Sequence, residues 1–383
     1  MAQATTLELV REPVSPKNLG PQQLETLLQM VRSIGPILDL AALIDRVGRQ
    51  LAPAFKADAA LLFLHAPQRE QLWTLIRRSP ESWPQRVVVD ENEGLCGHVF
   101  QCCQPLLISD LSHNAQFSHG SPPSPLGPAP QSVMAVPVAY RPDHCAGVLQ
   151  VNHRDCDVFD ESDLALLATI AEPVAIAVEN AQRYEAERRQ FDTTVGALTT
   201  ALDARDAVTA HHSLNVANYA MGIGAILGLD AKNLEWLRLA GLLHNVGKIG
   251  TPDRVLNKAG WLDPEEYEVV KKHARYTRKI LEQIAFAPRY DDMAYLAAAH
   301  HEKLDGSGYP DGLAGNLVPL KARILCVADI FHALTQPRPH RPGMPLNSAI
   351  SVLDDLVPDQ IDARCVSALK VFLGIGQLPK PAA

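Results

Sequence analysis

Metal-ligand side chains recur down the second half of this chain, each in or at the end of an apolar helical run, and this limits its fold. One run is Gly241-Leu242-Leu243-His244-Asn245-Val246-Gly247-Lys248-Ile249-Gly250. Further on come His273, the pair His300-His301 with Glu302, and Asp329. Neutral imidazole and carboxylate are the usual ligands of first-row divalent metals. Residues of this type on separate helices imply a bundle with a polar centre assembled from several helices. The position after His244, where a carboxylate is expected, holds Asn245.

The balance of charge narrows the setting. A formal net charge of -8 argues against a binder of nucleic-acid polymers, which normally presents a basic face. No apolar run reaches the ~18–20 uninterrupted residues expected of a membrane span. Met1 to Gly20 lacks the basic start and apolar core of a signal peptide, so the cytoplasm is the expected compartment. Seven cysteines in no framework spacing fit reduced thiols.

Residues 1–21, with Pro13, Pro16 and Pro21, read as a disordered lead-in. Leu24, Leu27, Leu28, Val31, Ile34 and Leu38 then recur at helical spacing, and Leu40, Leu43, Ile44, Val47 and Leu51 mark a second helix. Strands are expected at Ala59–Leu64, Leu72–Ile76, Val87–Val89, Pro105–Ile108, Ser132–Val138 and Gly147–Asn152, with a helix start at Gly94 and a loop over Ser118–Pro130. From Asp160 the period is helical again: Leu164, Leu167, Ala171, Val174, Val178 and Ala181 form a heptad-like seam that leads into the charged stretch Arg183–Gln190. Such a helix often joins domains and pairs with its own copy.

The Gly94–Gly97 turn, the Asp110-Leu111 corner and the ending Ala175-Ile176-Ala177-Val178-Glu179-Asn180-Ala181 resemble a GAF domain. That resemblance implies a six-stranded antiparallel sheet with helices on one side. Asn152-His153, Phe159 and Asp163 match in part the signature of nucleotide-binding members, with His153 and Leu164 departing from it. A structural or dimerising role, or a ligand of another kind, is the expectation. Cys96, Cys102 and Cys103 read as free thiols acting as small hydrophobes.

Beyond Gln190 the apolar period stays helical to Leu373. Helices are expected over Thr193–Asp203, His212–Leu227, Leu234–His244, from Asp263-Pro264-Glu265-Glu266 through His273 to Ile284, over Asp291–Lys303 and over Pro319–Thr335. The glycines and proline of Asp305-Gly306-Ser307-Gly308-Tyr309-Pro310-Asp311-Gly312 require a loop.

In order, Arg205-Asp206, Thr209, His212-Ser213, His244-Asn245, Gly247-Lys248-Ile249-Gly250, Pro252-Asp253, His300-His301-Glu302, Asp305-Gly306, Gly308-Tyr309-Pro310 and Ala328-Asp329 resemble the HD-GYP branch of the HD phosphohydrolases. The resemblance implies an all-helical fold holding two or three metals, commonly iron or manganese. It also implies hydrolysis of cyclic di-GMP to the linear dinucleotide or GMP. Position by position, it makes His212, His244, Asn245, His273, His300, His301 and Asp329 the metal set. It likewise implies that Lys248, Asn245 and Asp329 carry catalysis and that Lys248, Arg338, Arg341 and Tyr309 contact substrate. Glu302 and Asp305 fit supporting or loop-capping roles.

Four positions depart from that pattern. Asn245 replaces the bridging aspartate, Val208 the glutamate that goes with a third metal, Asn215 an arginine, and His332 an aspartate. An amide offers one neutral oxygen and an NH2 that repels a cation, so weaker occupancy of a two-metal centre is expected.

The expected architecture is a GAF sensory and dimerisation domain over 22–182, a helical linker over 183–199, an HD-GYP domain over 200–375 and a tail over 376–383. The expected function is a metal-dependent cyclic di-GMP phosphodiesterase regulated through an unidentified GAF ligand, forming a homodimer, with activity reduced by Asn245. The alternative is a degenerate module that binds a cyclic dinucleotide or docks diguanylate cyclase (GGDEF) proteins through the Gly-Tyr-Pro loop.

Overall fold

A computed structural model describes residues 20–77, 82–114, 116–117, 129–141, 144–205, 211–258, 260–337 and 342–376. Arg338, Arg341, Val208, Asp206 and Thr209 lie outside the described residues, as do residues 1–19 of the expected lead-in and 377–383 of the expected tail. The chain divides into two compact units that meet at Arg189/Gln190.

The first unit opens with α1 (Pro21–Ile34) and α2 (Leu40–Ala54), the latter capped by the Asp39 carboxylate, which accepts the Ala42 N–H. The strands are β1 (Ala59–Ala66), β2 (Gln71–Ile76), β3 (Gln85–Asp90), β4 (Leu106–Ile108), β5 (Ser132–Arg141) and β6 (His144–His153). They form one antiparallel sheet in the order β3-β2-β1-β6-β5-β4. Strand alternation separates two apolar layers. Leu62 and Leu64 of β1 join Leu43, Val47 and the start of α4 (Glu161–Arg205), whereas Phe63 joins Cys96 and Val99 of α3 (Gly94–Cys102). Helices therefore lie on both faces, not one, because β1 is apolar in both registers. The thiols are all free, with Cys96 buried as expected and Cys102 exposed.

Helix α4 is continuous over 45 residues and includes the whole of 183–199. Its most apolar 18-residue window satisfies the length and hydropathy test for crossing a membrane, and 56% of that window is buried within the protein.

The second unit is helical: α5 (His212–Ile226), α6 (Ala231–Leu243), α7 (Asp253–Leu256), α8 (Pro264–Leu281), α9 (Met293–Ala298), α10 (Leu320–Thr335), α11 (Leu346–Leu356) and α12 (Ala363–Phe372). Asp230 caps α6, and Asp263 with Glu266 forms a capping box at α8, as the acids and Pro264 predict. Trp236, Leu237, Phe331 and Leu369 anchor a core shared by α5, α6, α10 and α12. Each such burial is worth about 1.5–3 kcal/mol. The helix expected over Asp291–Lys303 is shorter. It tightens to a 3-10 turn at Ala299–His301, and the backbone is extended at Glu302, whose carboxylate is thereby aimed into the following loop.

Candidate metal centre

Five helical elements converge on one buried cluster. His244 caps α6, His273 lies inside α8, His300 and His301 end the turn after α9, and Asp329 sits on α10. His212 opens α5. Gly247 permits the approach of the turn after His244 to α8: a Cβ there would meet the His273 carbonyl oxygen at 2.0 Å. Thr277 locks that approach, donating to the His244 carbonyl at 2.9 Å and accepting the Gly247 N–H at 3.0 Å.

Two triads result, His273/His300/His301 and His212/His244/Asp329, each with its ligand atoms within 4.8 Å of one another. His244 and His300 stand ring to ring at 4.8 Å, and His301 Nδ1 lies 3.9 Å from Asp329 Oδ2, so the triads adjoin. The sequence-predicted ligands are thus brought together.

The ring nitrogens are sorted by backbone. His244, His273 and His300 each place Nδ1 at 2.6–2.7 Å from the carbonyl three residues earlier, on Gly241, Val270 and Ala297. A carbonyl only accepts, so each Nδ1 carries the hydrogen and each Nε2 presents a lone pair inward. Burial, reinforced by the neighbouring imidazoles and, for His273, by Lys248, holds His273 and His300 well below the usual imidazole range. Burial likewise pulls His301 down to about 4 and lowers His212. Burial would raise Asp329, but the adjoining His212 and His244 imidazoles outweigh it and hold the carboxyl well below its ordinary value. The centre therefore holds neutral imidazoles at His212, His273, His300 and His301 and an ionised carboxylate at Asp329, the protonation state a cation requires.

Asn245 lies against the His212/His244/Asp329 triad. Its Nδ2 donates toward His244 Nε2 at 2.7 Å and His212 Nε2 at 3.1 Å, while its buried Oδ1 has no hydrogen-bond partner among the described residues. Turned about its last bond, the amide would offer that oxygen as a neutral ligand. The donor set fits a divalent cation, held by three imidazoles on one side and by His212, His244 and Asp329 on the other.

A cavity of about 610 Å³ opens onto the cluster, lined by His212, Asn245, Lys248, His301, Tyr309 and Asp329 among others. Lys258, Lys271 and Lys303 line it too, together with Tyr267; these the sequence reading missed. The spacing of Tyr267 and Lys271, one turn apart on α8, is the signal that was available. Glu302 is no ligand: its carboxylate accepts the Asp311 and Leu313 N–H groups at 2.7 and 2.8 Å and fastens the Gly-Tyr-Pro loop. Asp305 accepts the Ser307 N–H within that loop.

Fold and site together define a helical His/Asp metal-binding domain behind an α/β domain. The family model for the HD domain matches residues 176–365, and that for the GAF domain matches residues 39–178. The chain thus carries a GAF domain followed by an HD domain. It is 40% identical over 48% of its length to a protein named 3'3'-cGAMP-specific phosphodiesterase 3 of Vibrio cholerae, matching 40% of that protein. It is 37% identical over 48% of its length to the cyclic di-GMP phosphodiesterase response regulator RpfG of Xanthomonas campestris pv. campestris, matching 48% of it. A cyclic di-GMP phosphodiesterase of Thermotoga maritima is 37% identical over 40% of this chain and 41% of its own length. The chain thus spans less than half the length of each of these relatives.

Proposed function

We propose that this chain is a metal-dependent phosphodiesterase that opens a cyclic dinucleotide, cyclic di-GMP or 3'3'-cGAMP, to the linear dinucleotide or GMP. The observation that carries this reading is the pair of adjoining triads with inward lone pairs on one lysine-lined cavity. Two bound iron or manganese ions would polarise the phosphodiester and activate the attacking water. Lys248 lines the cavity beside the triads and holds a phosphate oxygen as a point charge. Asp329, the carboxylate among the described cavity-lining residues, stays ionised at neutral pH and balances the cations. Tyr309, its ring 4.7 Å from that of His301, forms an edge of the site on which a base can rest. Water adds to phosphorus, the P–O3' bond breaks, and the departing oxygen takes a proton. Arg338 and Arg341 are assigned to the second phosphate.

The rest of the chain regulates. Residues 22–182 form the ligand-responsive unit and 183–199 the connecting helix, with homodimerisation supported by Tyr184, Phe191 and Leu198, exposed at seven-residue intervals on α4. The loop fastened by Glu302 is the surface for diguanylate cyclase (GGDEF) partners. The compartment is the cytoplasm.

A second reading, a receptor without turnover, is favoured by Asn245. The test is to load purified protein anaerobically with Fe(II) or Mn(II), add each cyclic dinucleotide and follow products by chromatography. Appearance of the linear dinucleotide supports the enzyme. Turnover only after Asn245→Asp identifies a receptor, and inactivity of both proteins overturns the enzyme reading.

A further inference from the structure

Among the described residues four lysines line the cavity, and their surroundings set one apart. Lys248 stands beside the triads, Lys258 contacts Glu266 and lies 4.0 Å from Asp263, and Lys303 donates to Gln360 Oε1 at 2.7 Å. Lys271 is set against aromatic faces instead. Its Nζ is 5.4 Å from the Tyr267 ring centroid and 5.9 Å from that of Tyr309. Its acidic contact, Glu268, is 65% exposed, and an ion pair so open to water holds the ammonium only weakly.

Helix period and loop geometry bring these three side chains together. Tyr267 and Lys271 are four residues apart on α8, so they leave the same face of the helix. Tyr309 arrives from the loop, its N–H donating to the His301 carbonyl at 3.3 Å. Gly308 permits that approach, because a Cβ there would meet the Lys303 nitrogen at 2.4 Å. The Tyr309 ring lies 4.7 Å from that of His301, so this wall begins at the edge of the metal centre. Tyr267 lines the cavity and is 48% exposed, so part of its ring is open for contact.

A flat ligand suits such a wall better than a tetrahedral phosphate. Aromatic faces stack on any base, so they supply contact without selection. The ammonium supplies the selection, since it carries three donors and no acceptor. It matches guanine, whose O6 and N7 are neighbouring acceptors, and meets another donor at N6 of adenine. We infer that Lys271, shared by the Tyr267 and Tyr309 rings, is the specificity-determining residue that reads one base of the cyclic dinucleotide as guanine. This rests on the cyclic-dinucleotide reading of the site and extends it. A wall that reads a single base is satisfied by cyclic di-GMP and by 3'3'-cGAMP, and not by cyclic di-AMP.

Mononucleotides test this without opening a phosphodiester. Isothermal titration of the Mn(II)-loaded full-length protein should show GMP binding about 10- to 100-fold more tightly than AMP, the usual discrimination by a cationic side chain on the O6/N7 edge. Lys271→Met keeps the length of the side chain and removes its donors. It should abolish the preference by weakening GMP, with AMP within about threefold of the parent. Lys271→Arg, which also donates to O6 and N7, should restore the preference. Equal parent affinity for GMP and AMP overturns the inference, whether or not cyclic dinucleotides are hydrolysed. So does a parallel loss of GMP and AMP affinity in Lys271→Met at unchanged metal content, which would make Lys271 a phosphate contact. A GMP preference carried by Lys271, with no hydrolysis of any cyclic dinucleotide, overturns the enzyme reading alone.

Discussion

His273 and His300 point Nε2 at Nε2 across 3.4 Å, each having given its ring hydrogen to its own backbone. Two lone pairs facing one another repel unless a cation or proton lies between, and burial disfavours the proton.

Metal should therefore stabilise the helical unit. At a free concentration about 100-fold above Kd, a metal that binds the native state contributes about 2.7 kcal/mol, a rise of roughly 5–10 °C in Tm for a unit of this size. Calorimetry with and without Mn(II), and with His300→Ala as the control, checks this. The variant should lose most of the rise and bind less metal per chain by mass spectrometry.

Replacing Asn245 by aspartate should raise metal occupancy. The orphaned Oδ1 becomes one of two anionic oxygens beside His212 and His244. An increase on the order of 10- to 100-fold in affinity for the weaker metal is expected, with a parallel gain in kcat. Isothermal titration of parent and variant with Mn(II) reads it directly, and equal affinities would discount the amide as the weak point.

Acid should destabilise the metal-free protein in a defined window. Free imidazole titrates near ~6.5, whereas His301 is pulled down to about 4 and His273 and His300 well below the usual range. Between those limits the unfolded chain binds more protons than the folded one, so stability rises with pH there. The stability present above ~6.5 is lost as pH falls toward 4. Asp329 acts in the same direction only below its ordinary value of 3.8. Urea denaturation between pH 7 and 4.5 should show the slope, and His273→Asn/His300→Asn should flatten it.

Glu302→Ala should loosen the Gly-Tyr-Pro loop without emptying the centre. Two loop N–H groups lose their acceptor, at a cost of about 1–3 kcal/mol each if no water replaces it. Faster hydrogen exchange at Asp311 and Leu313, with metal content unchanged, is the expected result. Loss of metal would instead make Glu302 a ligand.

Much of this was legible in the residues. The heptad of α4, the cap at Asp263 and the glycines of the Asp305–Gly312 loop each act locally, within a few residues of backbone. The set His212, His244, His273, His300, His301 and Asp329 was legible as well, since ligand chemistry is a property of the side chain. The helix over Asp291–Lys303 was overextended because apolar period does not register a carboxylate drawn out of the helix by a loop downstream.

What the sequence determined alone was composition of the centre and helical class: ligand types, their order, and faces set by a 3.6-residue period. Tertiary structure decided which atoms do the work. It brought His332 to His212 across a separation of 120 residues, placed Asn245 against His212 and His244, and put α3 on the second face of the sheet. A period names the buried face and leaves its partner open. A ring hydrogen is assigned only when packing supplies its partner, and for His212 Nδ1 that partner, His332, comes from another helix.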